Sequence, residues 1–333
     1  MASEPYNPTS DYQPESVVPL PALYRWPPEP LAALKYLVFG MLFPWGYVYI
    51  ALAFVSWYYL TPALESMASF APGWIAMIWL RNALLLTLVA GGLHWWLYMR
   101  RAQDKDYKYH RRWLDTDNDK FLWRNQVRDN MFWSLVSGVT IWSAYEAISF
   151  WVYANGYLAV PSIGAHPYYF VFGIFAVFFW GTIHFYVVHR LSHWPPLYRI
   201  SHEMHHRNVN TGPWTGISMH PIEHLLYFSG FMLFWVVPVH PVVIVVYSMF
   251  MGLGPAPSHC GFNFLELKGK RFCAGDWFHQ LHHQYFDLNY GNTTAPLDRA
   301  FGSWHDGSKD SLMQQKARSR ARRKNKSKQS VGA

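Results

Sequence analysis

The chain has 333 residues, enough for two soluble domains or one membrane-embedded domain. Aromatic residues make up 19% of it and charged residues only 14%, whereas soluble chains usually carry about 25% charged residues. This composition argues against an ordinary soluble protein and favours a membrane protein. With only two cysteines, Cys260 and Cys273, the chain has neither a disulfide framework nor a thiolate-based metal site.

The formal net charge of +8 is concentrated near the C-terminus, because the stretch from Lys316 to Lys328 contains eight Lys and Arg and no acid. Such a run predicts a solvated, disordered tail over residues 311–333, which would also be attracted to anionic lipid headgroups beside a membrane. No groove-reading motif or interleaved aromatic pattern accompanies the run. We therefore do not expect binding to nucleic acid.

Residues 1–30 are polar and rich in proline, without the charged start and short apolar core of a cleaved signal peptide. Five long apolar stretches follow, at residues 31–60, 74–99, 131–153, 168–188 and 225–253. The first four are near or above the roughly 20 residues that a spanning helix needs. Pro238, His240 and Pro241 interrupt the fifth, which predicts a hairpin of two short or re-entrant helices. We predict an all-α integral membrane domain over residues 31–310, with about four spanning helices and this hairpin.

The loop from Arg100 to Arg128 contains nine Lys and Arg, so the positive-inside rule places it on the cytoplasmic side. Counting crossings from this loop puts both termini and every histidine cluster on the cytoplasmic face of a multi-pass protein. A bacterial inner membrane and the endoplasmic reticulum fit this arrangement equally well.

Three strings contain eight of the seventeen histidines: HRLSH at residues 189–193, HEMHH at 202–206 and HQLHH at 279–283. On a helix, positions i, i+3 and i+4 share one face, so each string presents two or three imidazoles to a common point. Burial of so many titratable rings without a metal would leave unsatisfied donors or repelling charges. Since about four ligands satisfy one zinc ion, eight histidines are enough for two ions with open positions for O2.

Together with HPIEH at 220–224, HCG from His259, NYGN from Asn289 and the closing LDRAFGSW, these strings resemble the fatty acid hydroxylase/sterol desaturase superfamily over about residues 180–304. The resemblance implies a membrane domain with a cytoplasmic helical cap that carries two iron ions. It also implies O2-dependent hydroxylation or desaturation of a lipid such as a sterol or fatty acyl chain, with no catalytic side chain beyond the metal centre.

The resemblance further implies nine metal ligands: His189, His193, His202, His205, His206, His259, His279, His282 and His283. His224 is a candidate tenth, because Asn263 stands where some members of the superfamily have a further histidine. A ligating imidazole needs its other nitrogen held by a neighbour. The candidates for this role are Glu203, Glu223, Asp276, Asp287, Asn263 and Asn289.

The sequence contains no haem-binding module, flavin or nicotinamide fingerprint, or cysteine set for an iron–sulfur cluster. Electrons for such an oxygenase would therefore come from an external donor, cytochrome b5 or a ferredoxin with its reductase. The basic tail or the Arg100–Arg128 loop is a candidate docking site for this donor.

Two other functions are compatible with parts of the pattern. HEMHH satisfies the H-E-x-x-H motif of zinc metalloproteases, with His202 and His206 as ligands and Glu203 as the base, but this leaves six clustered histidines unexplained. A metal transporter or a haem-carrying electron-transfer protein is the other alternative. Transport places its ligands inside the spans, whereas these clusters lie just beyond the apolar stretches.

Overall fold

The computed structural model describes residues 12–318 and residue 320, and the regular structure within them is mostly helical, as predicted. The helices and strands that matter here are α1 (Pro30–Met41), α2 (Trp45–Tyr59), α3 (Pro72–Met99), α4 (Gln126–Ala154), α5 (Pro167–Ser192), α6 (195–206), α7 (221–235), α8 (Pro241–Ser258), β1 (Phe264–Leu267), β2 (Lys270–Cys273), α9 (Trp277–Tyr285), α10 (Leu297–Ala300) and α11 (309–318). Short 3-10 turns lie at Ala22–Tyr24, Leu64–Met67 and Leu122–Arg124.

Four helices, α3, α4, α5 and α8, are long and apolar enough to cross a membrane. The first apolar stretch, predicted as one span, is instead a pair of helices, α1 and α2, bent by 63°. The break precedes Pro44, which has no backbone N–H to continue the hydrogen bonds of α1. The fifth stretch forms the predicted hairpin from α7 and α8, and its second arm alone has the length of a span.

Six of these helices begin with proline at the first position, namely α1, α3, α5, α6, α7 and α8. Proline fits there because the first N–H groups of a helix have no intrahelical partner. His220 and His240 cap α7 and α8, since the Nδ1 atom of each accepts a backbone N–H at 3.3 Å. These two histidines therefore have a local structural role outside the clusters.

The centre of the membrane bundle is α8, which is buried on nearly all sides and packs against α2, α4 and α5. A polar network crosses this apolar interior. Arg81 of α3 forms an ion pair with Glu146 of α4, and both side chains are almost fully buried. Glu146 also accepts hydrogen bonds from Asn82 at 3.1 Å and from Ser248 at 2.8 Å. Because its groups are mutually hydrogen-bonded, the network fixes how α3, α4 and α8 pack.

A cap of short elements covers the end of the bundle where α5 and α8 finish. It contains an antiparallel hairpin of β1 and β2, which the sequence analysis did not predict. The hairpin turns through Lys268 and Gly269, both in the left-handed region with φ of 51° and 73°, as a two-residue turn requires. The basic loop packs on this cap, where the backbone N–H of Asn263 donates to the carbonyl of Tyr107 at 2.8 Å.

The two ends of the described chain also lie on the cap. The backbone N–H of Val18 donates to the carbonyl of Asp306 at 2.8 Å, and the Tyr24 hydroxyl donates to the carbonyl of Thr294 at 2.7 Å. Residues 309–318 are helical where the sequence predicted a disordered tail from residue 311. Ser308 caps this helix, since its Oγ atom accepts the Ser311 N–H at 3.1 Å. Residues 1–11 and most of the predicted tail lie outside the described residues.

Candidate metal centre

Local helix geometry brings the histidine strings to one place in the cap. His189 lies in the last turn of α5, and His193 follows directly after the end of that helix. Pro195 begins α6, whose π-helical turn Tyr198–His202 leads into His205 and His206. Asp276 caps α9, because its Oδ1 atom accepts the N–H of His279 at 3.2 Å, so the third string begins at a fixed point. His259 follows the end of α8.

The nine histidines predicted as ligands fall into two adjacent groups, and the candidate ligand atoms of each group lie within 4.8 Å of one another. The first group is His189, His193, His202, His206 and His282, and the second is His205, His259, His279 and His283. His282 Nε2 is 3.0 Å from His206 Nε2 and 3.1 Å from His193 Nε2. In the second group, His259 Nε2 is 3.0 Å from His279 Nε2 and 3.1 Å from His283 Nε2.

Acceptors on the far side of the rings fix five of these imidazoles. Backbone carbonyls take four of them: Tyr290 holds His189 at 2.5 Å, Ser218 holds His205 at 3.3 Å, Pro255 holds His259 at 3.0 Å and Leu288 holds His282 at 2.6 Å, each through Nδ1. The fifth acceptor is the Glu223 carboxylate, 2.6 Å from the Nδ1 atom of His202. A carbonyl or carboxylate oxygen only accepts, so Nδ1 carries the proton in each of these neutral rings.

The Nε2 atom of each of these five rings therefore presents a lone pair to the middle of its group. Nε2 atoms of neighbouring rings lie about 3 Å apart, but two Nε2 atoms without protons cannot form a hydrogen bond, because their lone pairs would face each other. Buried His189 Nε2 has no hydrogen-bond partner among the described residues. A cation in each group would satisfy these atoms, and imidazole nitrogen is a ligand for iron, zinc, copper and nickel. The residues present thus fit two metal ions.

Burial favours the unprotonated form that metal binding requires. It lowers the pKa of His205 to about 4 and, with a contribution from neighbouring His205, lowers the pKa of His259 to about 3. Burial and the same neighbour lower the pKa of His193 to about 3. His193 is nevertheless the one partly exposed member of the two groups.

The residues predicted to support the ligands are placed differently from one another. Glu223 holds His202, and Asp276 acts as the cap of α9. Glu203 and Asp287 are exposed. Asn263 accepts from the Tyr109 hydroxyl at 3.1 Å and donates to the Tyr12 hydroxyl at 3.3 Å, outside both groups.

His224, the candidate tenth ligand, also lies outside both groups. Its Nε2 atom donates to the carbonyl of Ile217 at 2.9 Å, and its Nδ1 atom accepts from the Ser137 hydroxyl at 2.9 Å. Both ring nitrogens are therefore occupied in this structure.

Sequence reasoning named Asn289, in the loop that follows α9, as a candidate support but did not predict that backbone carbonyls of this loop hold two imidazoles. Asn289 ties this loop down, because its amide donates to the carbonyls of Phe278 and His305 at 3.0 and 2.9 Å. Buried Asp298 accepts the N–H groups of Tyr290 and Gly291 at 2.9 and 2.7 Å. These contacts set the carbonyls that hold His189 and His282. The NYGN and LDRAFGSW strings carry this signal, although neither identifies which backbone atoms face an imidazole.

A cavity of about 340 Å³ extends from the histidines into the membrane bundle. At its inner end are five histidines of the two groups: His189, His202, His205, His259 and His279. Its walls are mostly apolar and come from α1, α2, α5 and α8, including Trp45, Tyr49, Phe178 and Phe250. Asn292, Thr293 and Thr294 form a polar rim on one side. The cavity suits an amphiphile whose apolar body lies among the helices and whose reacting part reaches the histidines.

The sequence was compared with known protein families. Residues 173–303 match the model of the fatty acid hydroxylase family. This part of the chain is thus similar to the fatty acid hydroxylase family, in agreement with the resemblance seen in the histidine strings. The matched segment runs from the middle of α5 to just after α10 and so includes every histidine of both groups.

Curated proteins similar to part of this chain include Δ7-sterol 5(6)-desaturases. The one from Eremothecium gossypii is 32% identical over 122 residues, which are 36% of this chain and 34% of the relative. The one from Saccharomyces cerevisiae is 31% identical over 134 residues, which are 40% of this chain and 36% of the relative. The chain thus spans about a third of the length of the relatives that it matches. No solved structure matches it significantly.

Proposed function

We propose that this chain is a membrane-bound di-iron oxygenase that uses O2 to desaturate or hydroxylate a membrane lipid. One observation carries the proposal: two groups of buried, neutral imidazoles converge at the inner end of a largely apolar cavity. Iron bound in the two groups would supply the activation of O2 and the attack on an unreactive C–H bond, chemistry that side chains cannot perform.

The protein's own contribution is to hold the ligands and to select the substrate. The carbonyls of Tyr290, Leu288, Ser218 and Pro255, with Glu223, keep five imidazoles in one tautomer and orientation. A fixed imidazole binds a metal without the cost of ordering its ring at that moment. The cavity walls exclude water and place one carbon of the substrate beside the histidines.

Among lipids, a sterol is the substrate class we favour. The similarity of part of the chain to Δ7-sterol 5(6)-desaturases supports this choice, and so does the cavity, whose aromatic walls suit a rigid ring system. Its polar rim of Asn292, Thr293 and Thr294 offers partners for a hydroxyl group. Desaturation is the outcome we expect, with hydroxylation as the alternative.

We also propose that the cap faces the cytoplasm. The cap and the basic Arg100–Arg128 loop lie at the same end of the bundle, because Tyr109 and Asn263 join the loop to residues around His259. The positive-inside rule then assigns this end to the cytoplasmic side, where soluble electron carriers are present.

The zinc-protease alternative has less support. In an H-E-x-x-H protease, the glutamate must face the metal-bound water between the two histidines. Glu203 is instead exposed, and His202 and His206 share their group with three further histidines. The transporter alternative requires ligands within the spans, whereas these groups lie in the cap.

Elemental mass spectrometry of protein purified without oxygen tests the metal site. We expect about two irons per chain, a marked loss in His282→Ala and full retention in His166→Ala, whose histidine is exposed at the start of α5. Incubation of the iron-loaded protein with candidate sterols, O2 and a reductase system should yield a product lighter by two hydrogens. A single zinc ion that persists in His282→Ala would disprove the proposal.

A further inference from the structure

We infer that the electron carrier docks on one surface of the cap, here called the Tyr290 face and defined by Arg190, Tyr290, Arg299, Phe301 and Arg318. The inference rests on the proposed function, because an oxygenase of this kind needs external electrons. Sequence reasoning offered the basic tail and the Arg100–Arg128 loop as docking sites, whereas the geometry of the histidine groups favours a face that takes only Arg318 from the tail.

The two histidine groups differ in their distance from solvent. Every member of the second group is buried, and the residues around it are covered by the basic loop. In the first group His193 is partly exposed. A carrier that reaches the histidines from the cap surface therefore approaches the first group more closely than the second.

Aromatic contacts connect the surface to this group. The Tyr290 ring lies 4.9 Å from the ring of His193 and 5.5 Å from that of His282, measured between centroids. The Arg190 guanidinium carbon is 5.4 Å from the centroid of the Tyr290 ring. Tyr290 therefore contacts both the exposed Arg190 and two candidate ligands.

The Tyr290 face has the charge and shape of a docking site for an acidic protein. Arg190, Arg299 and Arg318 are exposed, and the nearby Asp298 is buried beneath them. Phe301 is 62% exposed and stacks on Tyr186 with the ring centroids 5.8 Å apart, so it is a rigid apolar anchor among these charges. Exposed Asp287 is the opposing charge nearest in sequence to Tyr290. Arginines around an aromatic anchor are typical of protein interfaces.

The occupant we infer is a small acidic one-electron carrier protein. In desaturation one O2, two hydrogens from the lipid, two protons and two electrons give the alkene and two waters. Two reduced carriers must therefore dock in succession, and each would be oxidised as it passes one electron, by way of the Tyr290 region, to iron that the first group would hold. Complementary charge speeds such repeated short encounters.

The test measures binding directly. Iron-loaded protein in phosphatidylcholine nanodiscs is titrated with the soluble haem domain of cytochrome b5 and, separately, with a ferredoxin. The wild type should bind one of these two carriers at low salt. The double variant Arg190→Gln/Arg299→Glu should bind that carrier about tenfold more weakly, and Phe301→Ala should also weaken binding. The matched control Arg112→Glu/Lys120→Glu reverses two exposed charges of the basic loop and should bind within about twofold of the wild type.

A second measurement separates this inference from the proposed function. A small uncharged reductant should reduce the iron in the double variant as fast as in the wild type. The carrier should reduce the iron of the double variant more slowly than that of the wild type, because it binds the variant more weakly. Weaker binding in the loop control alone, or no binding of either carrier to iron-loaded wild type, would overturn the inference and leave the metal and product measurements to decide the function. An unchanged carrier affinity in the double variant, with lost affinity for anionic vesicles, would also overturn it and identify the face as a lipid contact.

Discussion

Replacement of Glu223 by alanine should weaken metal binding far more than replacement of Glu203, although both acids lie close to the same histidine string. Glu223 Oε1 is 2.6 Å from His202 Nδ1, and both side chains are almost fully buried, with exposed fractions of 6% and 1%. Glu203 is exposed. Loss of a partner that orients a ligating histidine typically lowers metal affinity by about 10- to 100-fold, which is about 1.4 to 2.8 kcal/mol.

The assay is the chelator concentration that removes half of the iron from each purified variant. We expect it to fall about 10- to 100-fold in Glu223→Ala and to stay unchanged in Glu203→Ala. Glu223→Gln should lie between them, because the amide oxygen still accepts from His202 without the negative charge. If Glu203→Ala loses metal or activity as strongly as Glu223→Ala, the assignment of these two acids is wrong and a role of the H-E-x-x-H type returns.

Three further predictions concern the bundle, the cap and the cavity. Glu146→Leu leaves the buried guanidinium of Arg81 without its carboxylate and should destabilise the protein by roughly 3–5 kcal/mol, and the added change Arg81→Met should restore stability. Thermal unfolding in detergent measures both effects. A single variant as stable as the wild type would contradict the role of the pair. In metal-free protein the folded pKa of His205 is about 4, below its unfolded value of about 6.5, so the unfolded state binds more protons between these two pH values. The free energy of unfolding should therefore fall as the pH drops from about 6.5 towards 4, and it should fall less steeply in His205→Gln. Equal slopes in the two proteins would refute this. Gly181→Ala places a Cβ atom 2.7 Å from Cε1 of Phe250 and should push that ring into the cavity. The turnover of bulky lipids should then fall while the iron content stays unchanged. Unchanged kinetics would refute this.

The sequence was sufficient to predict the helical membrane fold, because long apolar stretches and positions of proline record helix length and helix starts directly. It also identified the nine histidines that the structure brings together: eight lie in the three strings, whose i, i+3 and i+4 spacing is itself geometric, and His259 came from the family resemblance. The bend between α1 and α2 was missed because an apolar stretch has the same composition whether its helix is straight or broken.

Support for the imidazoles was harder to predict. Sequence reasoning looks for carboxylates near the ligands, and among these Glu223 holds an imidazole while Glu203 faces solvent. Four of the five fixed rings are held by backbone carbonyls, and any residue type supplies a carbonyl. For His189 and His282, the carbonyl that faces the ring is set by the path of the loop after α9, and that path depends on distant contacts of Asn289 and Asp298.

The two histidine groups contact the cavity through some of their members and Tyr290 of the cap through others. The cavity reaches His189 and His202 of the first group and three members of the second. His193 and His282, which are not among the residues that line the cavity, contact Tyr290. In the proposed function, a lipid in the cavity and electrons that arrive near Tyr290 would therefore reach the same pair of ions through different residues. This separation explains why the first group has a partly exposed imidazole although burial of the whole site would exclude water better.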